Sequence, residues 1–177
     1  IATLAFLNSG QICMDIKRIY VHGSIYNKFR DALVAYSKTI KTGNGFEPDV
    51  FVGPIQNSMQ YEKVKEMYSQ INKEGWTCAL GGSIMESSKG YFIEPAIIDN
   101  PPEDSKIVTE EPFGPIVPIL KWWDEDDVIK RANDSKMGLG ASVWSADIQR
   151  AYRMARQLEA GSVWVNSHFD VAPGVPF

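Results

Sequence analysis

Long apolar runs are missing from this sequence. None of its 177 residues fall in a stretch approaching the roughly 18 apolar residues that a membrane-crossing helix needs, so no such helix is expected. Basic excess is missing too: 18 Lys and Arg stand against 22 Asp and Glu, a net charge of −4. A nucleic-acid binder carries a basic face and a basic balance, so nucleic acid is not an expected partner. Cysteine is scarce. The two thiols, Cys13 and Cys78, do not make a disulfide scaffold in a chain of this length. They have neither CxxC spacing nor a nearby His pair, which leaves no expected metal site. A reducing, cytoplasmic setting is the default expectation. A GxGxxG fingerprint is absent: Gly43-Asn44-Gly45 runs into Pro48, and no Gly-rich phosphate turn opens a helix. There is no internal repeat, low-complexity tract or linker. Position 1 is not Met, and Ile1 to Leu7 is apolar without a basic leader or a small-residue cleavage site. The expectation is a cut-off core element, and a chain that is a fragment of something longer.

What is present suits one folded domain. Hydrophobic residues make up 44% and charged residues 23%, both close to soluble averages, so a core is affordable. A chain of this length buries roughly 70% of its unfolded surface. Helical and extended patterns alternate. Residues 17–22 read as a strand, and Ile25, Phe29, Ala32, Leu33, Tyr36 and Ile40 repeat at helical spacing. Residues 46–56 read as a loop ending in Gly53-Pro54. A second helix is predicted over 58–73 with Gly75 at its end. Strands are predicted at 77–80, in an extended stretch within 91–98, at 116–120, 141–144 and 162–165. Asp124 and Asp147 are placed to cap two further helices. This alternation predicts an α/β fold, an open mostly parallel sheet with helices on both faces. In such sheets ligands bind beyond the carboxyl ends of strands, so loops after strands draw attention.

Three segments could carry chemistry. In the first, Phe6 to Cys13, a helix ends in Asn8-Ser9-Gly10 and a Cys follows within a turn. A thiolate there would be a nucleophile, favoured by backbone N–H groups or nearby cations such as Lys17 and Arg18. A lone Cys serves equally as a small buried apolar residue. In the second, Glu110-Glu111-Pro112-Phe113-Gly114-Pro115, two prolines and a glycine fix a turn ahead of a buried strand. A carboxylate held there could accept hydrogen bonds from two ribose hydroxyls, and the aromatic could stack on a flat ring. The plain alternative is a surface loop with solvated acids. In the third, Gly161 to Asn166, a strand leaves the sheet with Asn166 at its tip, followed by His168, Phe169, Pro173, Pro176 and Phe177. These aromatics and prolines could wall an apolar pocket or be core residues without their cover. The acids from Asp124 to Asp127 read as a helix N-terminus favoured by the macrodipole.

The patterns Phe6-x-Asn8-x-Gly10-Gln11-x-Cys13, Glu110-Glu111-x-Phe113-Gly114-Pro115 and Gly161-x-Val163-Trp164-Val165-Asn166, in this order and spacing, resemble the aldehyde dehydrogenase superfamily. Gly53-Pro54 and Gly90-Tyr91-Phe92-x-x-Pro95 resemble it too, and the resemblance extends over essentially the whole chain. It implies that Cys13 is the catalytic nucleophile, that Glu111 holds the nicotinamide ribose and that Phe113 lies against the nicotinamide end. It places Gln60 and Lys63 at adenosine-side contacts of NAD or NADP. It makes Asn8 and Asn166 supporting residues and sets Phe169 and Phe177 near a substrate tunnel.

The implied reaction is covalent oxidation of an aldehyde to a carboxylic acid through a thiohemiacetal and a thioester. The resemblance further implies that residues 1–177 are a catalytic domain. The cofactor-binding domain, an amide-bearing Asn and the general-base Glu would precede it, and a C-terminal oligomerisation segment would follow. The fragment alone is then expected to be inactive, and the full-length protein a homodimer or homotetramer. The aromatic tail hints at an apolar or aromatic aldehyde. The competing reading is a Cys-dependent acyl-transfer enzyme or hydrolase using His22 or His168, or a catalytically silent structural homologue.

Overall fold

Strand-forming and helix-forming stretches alternate along the chain because apolar residues switch between continuous runs and three-to-four spacing. The computed structural model describes residues 1–84 and 89–175. They fall into two compact units, Ile1–Lys121 and a second that starts at Trp122, although no linker composition marks that boundary.

The first unit runs α1 (Ala2–Phe6), a 3-10 turn (Leu7–Gly10), β1 (Ile19–His22), α2 (Tyr26–Ser37), β2 (Lys41–Thr42), β3 (Val50–Val52), α3 (Ser58–Lys73), β4 (Cys78–Leu80), β5 (Ala96–Asp99) and α4 (Lys106–Thr109). Next comes β6 (Ile116–Trp122), then α5 (Glu125–Asn133), β7 (Gly140–Val143), α6 (Ile148–Ala155) and β8 (Ser162–Val165).

β5 and β6 lack the alternation of a half-exposed strand, and the packing explains why. Successive side chains on a strand point to opposite faces. Ile97, Val117 and Ile119 join Phe6, Tyr26 and Leu33 from α1 and α2. Ala96, Ile98, Ile116 and Leu120 join Val64, Met67, Tyr68 and Ile71 of α3, with Ile107 of α4. The central sheet is therefore covered by helices on both faces, as the pattern predicts. Its strand order is β1-β6-β5-β4. β5 and β6 are parallel, with Ala96 opposite Ile116, whereas β4 runs antiparallel to β5. Two parallel pairs stand apart, β2 with β3 and β7 with β8.

The described strands group in sheets of four, two and two. One expectation needs correction. Residues 46–56 are not all loop: β3 lies within them, and the Gly43 N–H donates to the Val52 carbonyl at 3.0 Å. Three residues between turn formers are too few to show a period.

Helix ends follow local signals closely. Asn57 accepts the Gln60 N–H at the start of α3. At its end Gly75 sits at φ +69°, Gly75 donates to Asn72 and Trp76 to Ile71, a Schellman closure that brings Trp76 into the core. Asp124 and Asp147 cap α5 and α6 as their positions predict. Within the second unit, Glu125 of α5 pairs with Arg150 and Arg153 of α6 at 2.8 and 2.7 Å. No helix among the described residues is long and apolar enough to cross a membrane.

Because Ile97 and Ile98 are both fully buried but on opposite faces, Ile97→Ala and Ile98→Ala should each cost about 2–5 kcal/mol. Phe46→Ala, at a fully exposed ring, should stay within about 0.5 kcal/mol. Urea unfolding of the three variants checks both expectations.

Candidate active site

Two glycines bring the first two motifs together. Gly10 has φ +71°, and a Cβ there would lie 2.3 Å from the Gly114 carbonyl oxygen. A Cβ on Gly114 would lie 2.5 Å from the Val64 side chain. The Cys13 segment, the Glu111–Gly114 turn and α3 are thus stacked with backbone contact at each step. No larger residue fits at Gly10, both for space and for its left-handed backbone.

The stack is held under strain. Asn8, Ser9 and Gly10 are three consecutive residues with positive φ, at 47°, 62° and 71°. Left-handed conformations at non-glycine residues cost of order 1–3 kcal/mol each and need support. The support comes from the loop after β3. The Ser9 hydroxyl donates to the Gly53 carbonyl at 3.0 Å. The Gln11 amide donates to Asn8 and Pro54 carbonyls at 3.2 and 3.4 Å, and its oxygen accepts the Gln56 N–H at 2.9 Å. The Asn8 amide reaches the Gln11 carbonyl at 3.4 Å. Ser9 and Gln11 were not singled out from sequence, because their partners lie more than 40 residues away.

Beyond this turn the Cys13 side chain is exposed, not packed in hydrocarbon. The chain then folds back: Ile12 N–H donates to the Asp15 carboxylate at 3.0 Å, and Asp15 N–H to the Ile12 carbonyl at 3.0 Å. Lys17 donates to the Gly10 carbonyl at 2.6 Å and stands 5.3 Å from the centroid of the Phe113 ring. Its ammonium is 3.9 Å from Asp15. Burial raises the Asp15 carboxyl to about 6, opposed by Lys17 and by the Ile12 N–H. Burial pushes Lys17 down, opposed by Asp15, Glu111 and Cys13.

The facing turn is gripped from α3. The Gln60 amide donates to the Pro112 and Phe113 carbonyls at 2.8 and 3.0 Å, and Lys63 donates to the Glu111 carbonyl at 3.0 Å. Phe113 itself has φ +51°. The Glu111 side chain has no hydrogen bond among the described residues and is partly exposed, so its oxygens are available to donors. Cys13, Glu111, Phe113, Gln60 and Lys63 are therefore gathered in the first unit. Both the thiol segment and the Phe113 turn precede their strands, β1 and β6, rather than following them. The close approach of two glycine backbones, not the carboxyl end of a strand, brings these segments together.

Asn166, Phe169 and His168 lie in the second unit, and His22 in the first. The Asn166 amide clamps Ser145, accepting its N–H at 2.9 Å and donating to its carbonyl at 3.0 Å. Phe169 is half-buried with φ +70°. Phe177 lies outside the described residues. His22 is hydrogen-bonded to the Ser24 hydroxyl at 2.7 Å, and His168 packs edge-on against Trp164. Among the described residues no three His, Cys, Asp or Glu are grouped as metal ligands.

An α/β unit that presents an exposed thiol beside a rigid Glu-x-Phe-Gly turn defines a class of cysteine-bearing sites, and comparison with known proteins gives it a family. The model of the aldehyde dehydrogenase family matches residues 1–177. The betaine aldehyde dehydrogenase of Brucella anthropi is 38% identical over 175 residues, 97% of this chain and 36% of that protein. The mitochondrial aldehyde dehydrogenase of Leishmania tarentolae is also 38% identical, over 99% of this chain and 35% of its own length. Among solved structures, a variant of the Bacillus cereus aldehyde dehydrogenase superposes with a TM-score of 0.93 at 37% identity, over 99% of this chain and 35% of that one. The Staphylococcus aureus betaine aldehyde dehydrogenase in complex with NAD+ superposes at 0.92 with 36% identity, over 99% and 36%. The chain belongs to the aldehyde dehydrogenase family, and it spans about 36% of the length of the curated relatives it matches.

Asp15 makes a pH prediction. Its folded pKa of about 6 lies above the ordinary 3.8, so the folded state holds the proton more tightly than the unfolded state. Its contribution to stability therefore rises as pH falls from about 6 to 3.8, and is lost as pH rises through that window. The stability of the wild type relative to Asp15→Asn should increase from pH 7 to pH 4, measured by urea unfolding. A constant difference would contradict it.

Proposed function

We propose that this chain is the catalytic domain of an NAD(P)-dependent aldehyde dehydrogenase, with Cys13 as the nucleophile that carries an aldehyde to its carboxylic acid. The observation that carries the reading is an exposed thiol on a strained loop that is locked by backbone contact to the turn bearing Glu111 and Phe113. The names of the relatives and the NAD+ bound in the Staphylococcus aureus structure support it.

The residues present fit a nicotinamide cofactor. The partly exposed Glu111 carboxylate can accept two ribose hydroxyl hydrogen bonds, and Phe113 can lie against the ring. Gln60 and Lys63 hold the turn that presents both, which adds a positioning role to the adenosine-side contacts expected of them. When bound, the cofactor supplies the hydride acceptor. The protein's own part begins with the Cys13 thiolate: its lone pair forms the S–C bond as the carbonyl π pair moves onto oxygen. The Cys13 N–H is the donor available to that oxygen; one donor of this kind is typically worth roughly 3–4 kcal/mol. Water, activated by a carboxylate base, opens the thioester and returns the thiol to Cys13. Asn8 shapes the thiol loop and Asn166 steadies the chain after β8; a substrate-lining role for Phe169 and Phe177 rests on the family resemblance alone.

The dinucleotide site, the base and the oligomerisation segment lie, in this proposal, outside residues 1–177. A homodimer or homotetramer forms in the full-length protein, in a reducing, cytoplasmic setting that keeps both thiols free.

Iodoacetamide labelling with peptide mapping tests the nucleophile. Cys13 should be alkylated well ahead of Cys78, whose thiol burial pushes up. In the full-length enzyme, Cys13→Ser should lower aldehyde-dependent NAD(P)H formation by roughly 10³-fold or more. The 177-residue chain alone should give no steady NAD(P)H formation. Turnover of an activated ester that disappears on replacing His22 or His168 would instead favour a hydrolase.

A further inference from the structure

Lys17 stands where the two halves of the site meet. Its side chain is only 18% exposed. The ammonium donates to the Gly10 carbonyl at 2.6 Å, lies 5.3 Å from the Phe113 ring centroid and is 3.9 Å from Asp15. Burying an ammonium is costly unless negative groups answer it. Asp15 and Glu111 do so here, and the Cys13 thiol lies near enough to add to them. Lys63, bonded to the Glu111 carbonyl, is the other cation on this turn. Two of these three groups come from the two motifs, and Phe113 belongs to the second.

We propose that Lys17 is a positioning residue of this site: it ties the carbonyl of Gly10 to the face of Phe113 and gives the neighbourhood of Cys13 a fixed positive charge. This rests on Cys13 being the nucleophile. A neutral brace could fill the space, but only a cation donates to the carbonyl, rests on the aromatic face and also draws anions toward the thiol. Met in its place would keep most of the stem's packing and remove the charge, whereas Arg would keep the charge on a broader head.

The test is the rate at which Cys13 is alkylated by anionic iodoacetate compared with neutral iodoacetamide, read by peptide mass spectrometry on the 177-residue chain. Both reagents form the same S–C bond and release iodide, so their rate ratio reports the local charge. In Lys17→Met the iodoacetate-to-iodoacetamide ratio should fall roughly three- to tenfold, and in Lys17→Arg it should be largely restored. An unchanged ratio in Lys17→Met, or an equal fall in Lys17→Arg, overturns the proposal. Should Lys17→Met fail to fold, the wild-type ratio is read between low salt and 1 M salt. A ratio that drops with salt supports the charge, and one that does not move rejects it. Failure of the nucleophile reading looks different: Cys78 would be labelled as fast as Cys13 in the wild type.

Discussion

The contact on which the site depends is between backbones. Gly10 touches the carbonyl of Gly114, and Gly114 in turn lies against Val64. Val64 is fully buried in the cluster that α3 forms over β5 and β6. The position of the thiol loop is thus referred, in two van der Waals steps, to the interior of the sheet. Side chains can change rotamer, but a stack of peptide planes over a packed valine cannot yield without moving the core. This is a stiff way to hold the Cys13 loop opposite a turn, and it explains why residues with no side chain matter here as much as those with reactive groups.

Stiffness has to be supported against strain. Three left-handed residues in a row would not persist in a free loop. Ser9 and Gln11 make them persist by bonding to Gly53, Pro54 and Gln56. Gln60 and Lys63 do the equivalent for the Phe113 turn. Both loops are therefore held by hydrogen bonds between side chains and backbone, which fix where the backbone goes while leaving Cys13 exposed and the Glu111 carboxylate unbonded among the described residues.

Much of this was legible in the sequence, and what was not has a common cause. The end of α3 and the starts of α5 and α6 follow from Gly75, Asp124 and Asp147, each acting within one helical turn. The double-sided burial of β5 and β6 is written in runs that lack alternation. Cys13, Glu111 and Phe113 could be picked out because they lie in compact motifs. Gln11, Ser9 and Lys17 were less legible: the first two act on a loop more than 40 residues away, and Lys17 acts on Gly10 and Phe113, only one of which is close in sequence. β3 escaped notice because three residues cannot display a period. The boundary at Trp122 escaped because β6 crosses it without a break in composition.

The buried pair of Asp15 and Lys17 carries the argument from structure to chemistry. A buried ion pair seldom adds net stability, since desolvation consumes what the attraction returns. Burial raises Asp15 and lowers Lys17, so each is pushed toward its neutral form, and Asp15 also keeps one carboxylate oxygen buried without a partner. A fold selected only for stability would do better with two apolar residues there. The pair makes sense as a means of placement: Asp15 holds the Ile12 N–H and Lys17 holds the Gly10 carbonyl, both in the segment that leads into Cys13. The cost in stability falls on residues that flank the exposed thiol, which is where a functional constraint would put it.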